Sequence, residues 1–282
     1  MIAQSPVGAR IRALFLDIDG TLIGADTHVS AGVVAALQAA KAQGCEIILC
    51  TGRTRFTMAP IAEQISPLPS YAVTSNGGVA LHLGTDTLLY RHLIPIPVAL
   101  ELVQAILEAG GDPYVFEDSD TPGVEGSRVL HHPDRPTGPW AQRPRYRPHH
   151  GIENALPFAP VSVSTFGPPP IMRPLAALLA ERLSDKVAII QSGSDTNWGV
   201  EMHAPNVSKR LGLETIVTQL GLSREEVVAI GDHINDMEML EWAGIGVAMG
   251  NALPEVKEIA DWVTDRYDED GVARAIERFV LA

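Results

Sequence analysis

The sequence predicts an α/β protein: a parallel-sheet core built from both ends of the chain, with a second α/β domain inserted between them. Three observations carry this. Short apolar runs without alternation recur at residues 13–16, 45–50 and 227–230, as expected of strands buried on both faces of a parallel sheet. Segments of helical period separate such runs, the pattern of strand–helix–strand units that cross over into parallel sheets. The texture then changes after Pro95 and returns to regular alternation from Asn206. The division that follows is 1–83 with 191–282 for the core and 84–190 for the insert.

Taken in order, residues 13–16 form the first strand and run straight into Asp17-Ile18-Asp19-Gly20-Thr21. Ser30 caps a helix whose apolar positions Val33, Leu37 and Ala40 keep helical spacing, and Gly44 stops it. Residues 45–50 are the second strand, with Thr51-Gly52-Arg53 where it gives way to the next helix. Residues 71–74 read as a third strand, Ser75-Asn76-Gly77-Gly78 as a turn and 79–90 as a hairpin. In the insert, a helix at 98–109 precedes residues 119–150, a stretch without clear period that holds five arginines and four histidines against three acids. A strand at 161–165, a helix at 171–183 and a strand at 187–191 follow. From Asn206 come a helix to Leu220, a strand at 227–230, a loop at 231–236 and a short helix to Trp242, then strands at 245–248 and 261–264 separated and followed by helices.

The 282 residues are 46% hydrophobic and 20% charged, as in an ordinary soluble globular protein, and carry a net charge of −13. That charge disfavours nucleic acid or an anionic membrane as the main partner, so an anionic substrate would need a local positive site or a metal ion. The N-terminal apolar run is short and ends in carboxylates, which fits neither a secretory signal nor a membrane span and leads to the expectation of a cytoplasmic protein. Cys45 and Cys50 flank one apolar stretch and read as structural thiols.

Carboxylates placed directly after a buried parallel strand point into the crevice at the carboxyl end of the sheet, where active sites of open α/β sheets lie. Asp17 there can attack phosphorus as a nucleophile. Asp19, two residues on, can protonate the leaving oxygen and then deprotonate water. Gly231-Asp232-His233-Ile234-Asn235-Asp236 also follows an apolar strand. Asp232, with Asp17 and the backbone carbonyl of Asp19, would make a hard oxygen site suited to Mg²⁺. Thr51-Gly52 offers a hydroxyl and backbone N–H groups to an anion, and Lys209 supplies positive charge for phosphoryl oxygens. Singly, Thr51 is an ordinary helix cap and Lys209 an ordinary helix lysine; it is the ordered set, each at a strand end or helix start, that points to phosphoryl chemistry.

Asp17–Thr21, Thr51-Gly52-Arg53, Asn206-Val207-Ser208-Lys209 and Gly231–Asp236 together resemble the four successive motifs of the haloacid dehalogenase superfamily. Ser75-Asn76-Gly77-Gly78, Met249-Gly250-Asn251-Ala252 and Asp270-Gly271-Val272 extend the resemblance to its Cof-type branch, subclass IIB. The resemblance covers roughly residues 12–90 and 190–282. It implies a Rossmann-like core with an inserted C2-type α/β cap, Mg²⁺ as cofactor and hydrolysis of a small phosphorylated metabolite through an aspartyl-phosphate. On the same basis Asp17, Asp19 and Asp232 are the metal ligands, with Asp17 the nucleophile and Asp19 the acid/base. Lys209 joins them in catalysis, and Ile18 (by its backbone), Thr51, Gly52, Lys209 and Asn235 hold phosphate. Asp236 stands behind them, orienting Lys209 or a metal-bound water. One departure is Arg210, where many relatives read Ser-Lys-Gly.

The four histidines, 131, 132, 149 and 150, read as solvated loop residues rather than metal ligands. Arg128, Arg135, Arg143, Arg145 and Arg147 could meet a second anionic group but fit a solvated loop equally; Trp140 and Tyr146 fit packing of the insert. Two competing functions stay open: a phosphosugar mutase resembling phosphomannomutases, separated by retention of the phosphoryl group, and a non-catalytic metabolite-binding protein on the same scaffold, against which the full set of carboxylates argues. No nucleic-acid or membrane partner is expected, and a monomer or homodimer is.

Overall fold

A computed structural model describes residues 10–118, 128–134 and 145–282. Along the chain, β1 (Ala13–Leu16), α1 (Ala31–Ala42), β2 (Glu46–Cys50), α2 (Arg55–Gln64), β3 (Pro69–Thr74), β4 (Val79–His82) and β5 (Thr87–Arg91) come first. Next are α3 (Ile96–Glu108), β6 (Tyr114–Phe116), β7 (Val129–His131), β8 (Tyr146–Pro148), β9 (Ser162–Gly167), α4 (Pro169–Leu183), β10 (Ala188–Gly193) and β11 (Trp198–His203). Last are α5 (Lys209–Leu220), β12 (Val227–Gly231), α6 (Met237–Trp242), β13 (Ile245–Ala248), α7 (Pro254–Ile259), β14 (Trp262–Val263) and α8 (Gly271–Phe279). The chain divides into two compact units, Met1–Tyr90 with Ser208–Ala282, and Arg91–Val207.

In the first unit one sheet runs β14-β13-β12-β1-β2-β3-β4-β5. From β14 to β3 the pairing is parallel, and β4 turns back antiparallel on β3. β1 is central, with Leu16 opposite both Ile230 and Leu49. Asp17, Gly231 and Cys50 therefore leave three adjacent strands at the same edge of the sheet. The residues of β1 and β12 are fully buried, which accounts for their unbroken apolar composition.

Local chemistry sets the helix ends. Ser30 accepts the Val33 N–H (3.1 Å) at the start of α1, and Gly44, at φ +82°, follows its end. Ser208 accepts the Leu211 N–H (3.3 Å), so α5 begins at Lys209 and not at Asn206, whose φ of +64° lies outside the helical region. The cap of α2 is Thr54, accepting from Thr57 N–H at 3.4 Å. Thr51 and Gly52 thus occupy the loop before the helix and not its first turn, because four residues, 51–54, separate the end of β2 from the start of α2. Arg210 pairs with Glu214 one helical turn on (2.8 Å).

The second unit contains a six-stranded sheet of order β10-β11-β9-β6-β7-β8, antiparallel except between β7 and β8. Its apolar core joins Leu102, Val103 and Ile106 of α3 and Leu179 of α4 to Val163, Val200 and Met202 of the sheet. β11 fills a stretch that the sequence analysis leaves unassigned, although Trp198, Val200 and Met202 alternate with Gly199, Glu201 and His203 at the period of a strand. β6, β7 and β8 are three residues each, too short to show a period. Arg128 forms a two-pronged pair with Glu117 (2.6 and 2.9 Å), His131 is buried, and the His149 ring donates to the Ala155 carbonyl (3.1 Å). Tyr146 packs edge-on against Tyr114. Arg135, Trp140 and Arg143 lie outside the described residues.

Helix α5 approaches the first unit's sheet at Gly212, where a Cβ would lie 2.3 Å from Val73 Cγ1. Replacing Gly212 by Ala would improve helix propensity by about 1 kcal/mol, yet overpacking at so short a distance costs about 1–3 kcal/mol. Gly212→Ala should therefore lower stability, measured as a reduced urea midpoint at unchanged m-value.

Candidate active site

Asp17 follows β1, with its N–H donating to the Ile230 carbonyl (3.0 Å) and its side chain 7% exposed. Lys209, the first residue of α5, points inward with a side chain 1% exposed and donates to Asp17 Oδ1 (2.6 Å) and to Asp236 Oδ1. Asp236 Oδ2 accepts the backbone N–H groups of Asp232 (2.9 Å) and His233 (3.0 Å), so both of its oxygens are engaged. Carboxylate oxygens of Asp17, Asp232 and Asp236 lie within 4.8 Å of one another.

Asp232 is held against the loop after β1 from three sides. Thr21 Oγ1 lies 3.5 Å from its Oδ1, Asn251 Nδ2 lies 3.4 Å from its Oδ2, and a Cβ on Gly20 would fall 2.2 Å from that same Oδ2. Gly20, at φ +88°, is thus required twice over, by its backbone conformation and by this approach. Asn251 also donates to the Gly20 carbonyl (2.8 Å) and accepts the Tyr267 N–H (3.1 Å).

The Asp19 side chain turns elsewhere. Both of its oxygens accept from Arg53, at 2.7 Å from Nε and 2.6 Å from the terminal nitrogen, and it is 57% exposed. The carboxylates brought together are therefore those of Asp17, Asp232 and Asp236; the Asp19 side chain is not among them, and the ligand expected of that residue was its backbone carbonyl. The reason is local, since a side chain two residues after Asp17 emerges where Arg53 can reach it.

Among the expected phosphate ligands, Lys209 stands beside Asp17. Ile18 is buried, and its carbonyl accepts from Leu22 (2.9 Å) and Ile23 (3.0 Å). Thr51 is buried, its hydroxyl accepting the Arg53 N–H (3.1 Å). Asn235 donates to Asn76 Oδ1 (2.9 Å), and Gly52 lies against the same Asn76 side chain, 3.0 Å separating Oδ1 from the position of a Cβ. Asn76, Arg53 and Asn251 received no role from the sequence, although each lies in a motif already singled out there.

Burial is the largest influence on Asp17, raising its pKa to about 7; the Lys209 ammonium opposes this, while Asp236 and Asp19 add to it. Burial and the Asp17 charge push Asp232 higher still, to about 9. Burial works against the charge on Lys209, but Asp17 and Asp236 outweigh it and hold the ammonium well above the ordinary lysine value. Three carboxylates around one ammonium leave an excess of buried negative charge. A divalent cation with a preference for oxygen would offset it, so the donor set fits such an ion.

The profile of the haloacid dehalogenase-like hydrolases matches residues 14–276. The chain is 29% identical over 283 residues to a putative phosphatase of Bacillus subtilis, YxeH, covering 96% of this chain and 99% of that protein. It is 29% identical over 272 residues to the 5-amino-6-(5-phospho-D-ribitylamino)uracil phosphatase YcsE of the same organism, covering 96% of each. It is similar in structure, with a TM-score of 0.78 at 26% identity, to a haloacid dehalogenase-like hydrolase from Bacteroides thetaiotaomicron, covering 95% of this chain and 99% of that one. Among the described residues no helix is long and apolar enough to cross a membrane.

A carboxylate whose pKa rises on folding binds its proton more tightly in the native state, so the stability it contributes is present at low pH and is lost as pH climbs from the unfolded value, 3.8, through the folded one, about 7 for Asp17 and about 9 for Asp232. Chelator-treated protein should therefore lose thermal stability across that window. A divalent cation, which displaces those protons, should stabilise increasingly as pH rises. A melting-temperature gain from added cation that is flat from about pH 5 to pH 8 would contradict this electrostatic account.

Proposed function

Because this chain belongs to the haloacid dehalogenase-like hydrolases and is a phosphatase of that family, we propose that it hydrolyses a small phosphorylated metabolite by a magnesium-dependent, two-step reaction through Asp17. The observation that carries the reading is the Lys209 ammonium 2.6 Å from Asp17 Oδ1 in a buried, carboxylate-rich pocket of charge. A phosphoryl dianion brought there would meet a fixed cation, and the carboxylate oriented by that cation would face phosphorus.

Asp17 and Asp232 are the residues proposed to hold the metal through their side chains, since both oxygens of Asp236 are already engaged; Asp19 is assigned its backbone carbonyl. The cation, when bound, would neutralise phosphoryl charge and align the ester with Asp17. Mg²⁺ is favoured because every donor is a hard oxygen.

In the first step a carboxylate oxygen of Asp17 attacks phosphorus as the ester oxygen departs and takes a proton from Asp19. In the second, water attacks the aspartyl-phosphate while Asp19 takes its proton, and orthophosphate leaves with Asp17 restored. Both oxygens of Asp19 accept from Arg53. Proton donation in the first step needs one of those two hydrogen bonds to open. Thr51, Gly52, the backbone of Ile18, Lys209 and Asn235 are assigned to the phosphoryl oxygens, and Asp236 to holding Lys209 and the turn after β12. The relative YcsE, named for a small phosphate ester, supports the substrate class.

Release of orthophosphate from a panel of sugar phosphates, nucleotides and pyridoxal phosphate tests the reading. Asp17→Asn should reduce turnover by at least about 10³-fold, the scale on which loss of a covalent nucleophile is felt, and chelation should abolish activity that Mg²⁺ restores. Turnover persisting in the Asn variant would remove Asp17 as nucleophile.

A further inference from the structure

The turn Ser75–Gly77 follows β3, and three successive residues in it take left-handed backbone conformations: Ser75 at φ +50°, Asn76 at +54° and Gly77 at +102°. Two of them are not glycine, and a residue held this way persists only where its surroundings demand it. All three are buried, Asn76 completely.

The surroundings belong to three separate motifs. Asn76 N–H donates to the Thr51 carbonyl (3.1 Å), and Ser75 N–H to the Arg53 carbonyl (2.8 Å), so the backbone of the turn grips the loop after β2 on both sides of Gly52. A Cβ on Gly77 would fall 2.0 Å from the Ser208 carbonyl, which places the turn against the start of α5, one residue before Lys209. The Asn76 side chain accepts from Asn235 Nδ2 (2.9 Å) and lies against Gly52. Its own Nδ2 is buried and meets no acceptor among the described residues. A buried donor kept without a partner calls for an explanation other than stability.

We propose that Asn76 is a positioning residue for phosphoryl transfer: its carboxamide fixes the Asn235 amide and the Gly52 loop at the spacing that receives the phosphoryl oxygens. The inference rests on the assignment of Gly52 and Asn235 as phosphoryl ligands. A role confined to shaping the turn would ask only for tolerance of positive φ, and glycine meets that demand better than asparagine.

The test compares full-length wild type, Asn76→Gly, Asn235→Ala and the double variant, all with Mg²⁺, by calorimetric binding of inorganic phosphate and by kcat and KM for p-nitrophenyl phosphate. Asn76→Gly should weaken orthophosphate binding by about tenfold or more and lower kcat/KM by about 10–100-fold, as expected when ligands shift by a fraction of an ångström. In the Asn235→Ala background the same change should cost distinctly less, because one of the two contacts it acts through is gone and only that with the Gly52 loop remains. Wild-type phosphate affinity in Asn76→Gly, or equal losses in both backgrounds, would overturn the proposal. If the glycine variant does not fold, Asn76→Ala removes the oxygen that receives Asn235 while keeping a Cβ in the turn. It should weaken phosphate binding about tenfold, and unchanged affinity would overturn the proposal equally. Failure of the wild type to turn over any ester while still binding phosphate would count against the hydrolase reading alone, since the affinity comparison is read without turnover.

Discussion

The buried Lys209 ammonium, shared between Asp17 and Asp236, is the interaction on which the arrangement of the site depends. A lysine with a side chain 1% exposed cannot remain charged without close anions, and carboxylates this buried cannot ionise without a cation. Each thus makes the other possible. Removing one partner from such a buried pair costs about 3–5 kcal/mol because the remaining charge is left uncompensated. The group therefore constrains three separate parts of the chain at once: the end of β1, the start of α5 and the turn after β12.

Its geometry follows from backbone features that are modest in themselves. The register of β12, β1 and β2 brings three strand ends to one edge. The Ser208 cap starts α5 at Lys209. The missing side chain at Gly77 lets the turn after β3 come up against Ser208, and the missing side chain at Gly20 lets the first loop close on Asp232. Asn76 and Asn251 then tie loops that no strand pairing joins. The site is held by its walls as much as by its charges.

The two carboxylates after β1 illustrate how environment separates roles. Asp17 has a side chain 7% exposed, and Asp19 one that is 57% exposed. Desolvation of the proposed nucleophile leaves its interactions to Lys209 and to whatever cation or phosphate arrives, whereas a residue proposed to carry protons to and from leaving group and water gains from contact with solvent. Residues two apart in extended chain would share a face, so the difference comes from the turn that the chain takes after β1 ends at Leu16 and from Arg53, which holds the Asp19 side chain on the outer side.

Much of this was legible in the sequence because it is written locally. Unbroken apolar runs identified the parallel strands, Ser30 lies where its hydroxyl caps a helix, and the aspartates after β1 and β12 stand directly behind the runs that carry them. The motif resemblance named the family to which the chain belongs. What depended on distance through space was not legible: that the Asp19 side chain leaves the cluster for Arg53, that Asp236 enters it, that Thr51 and Gly52 precede the helix instead of opening it, and that Asn76 stands between Gly52 and Asn235. β11, by contrast, was legible, since Trp198, Val200 and Met202 recur at strand period; its antiparallel pairing with β9 and β10 was not. Residue type and spacing determine which groups are available and which local structure carries them; side-chain direction and partnership are settled only when elements far apart in the chain are packed together, because burial and charge neutralisation are properties of the assembled interior.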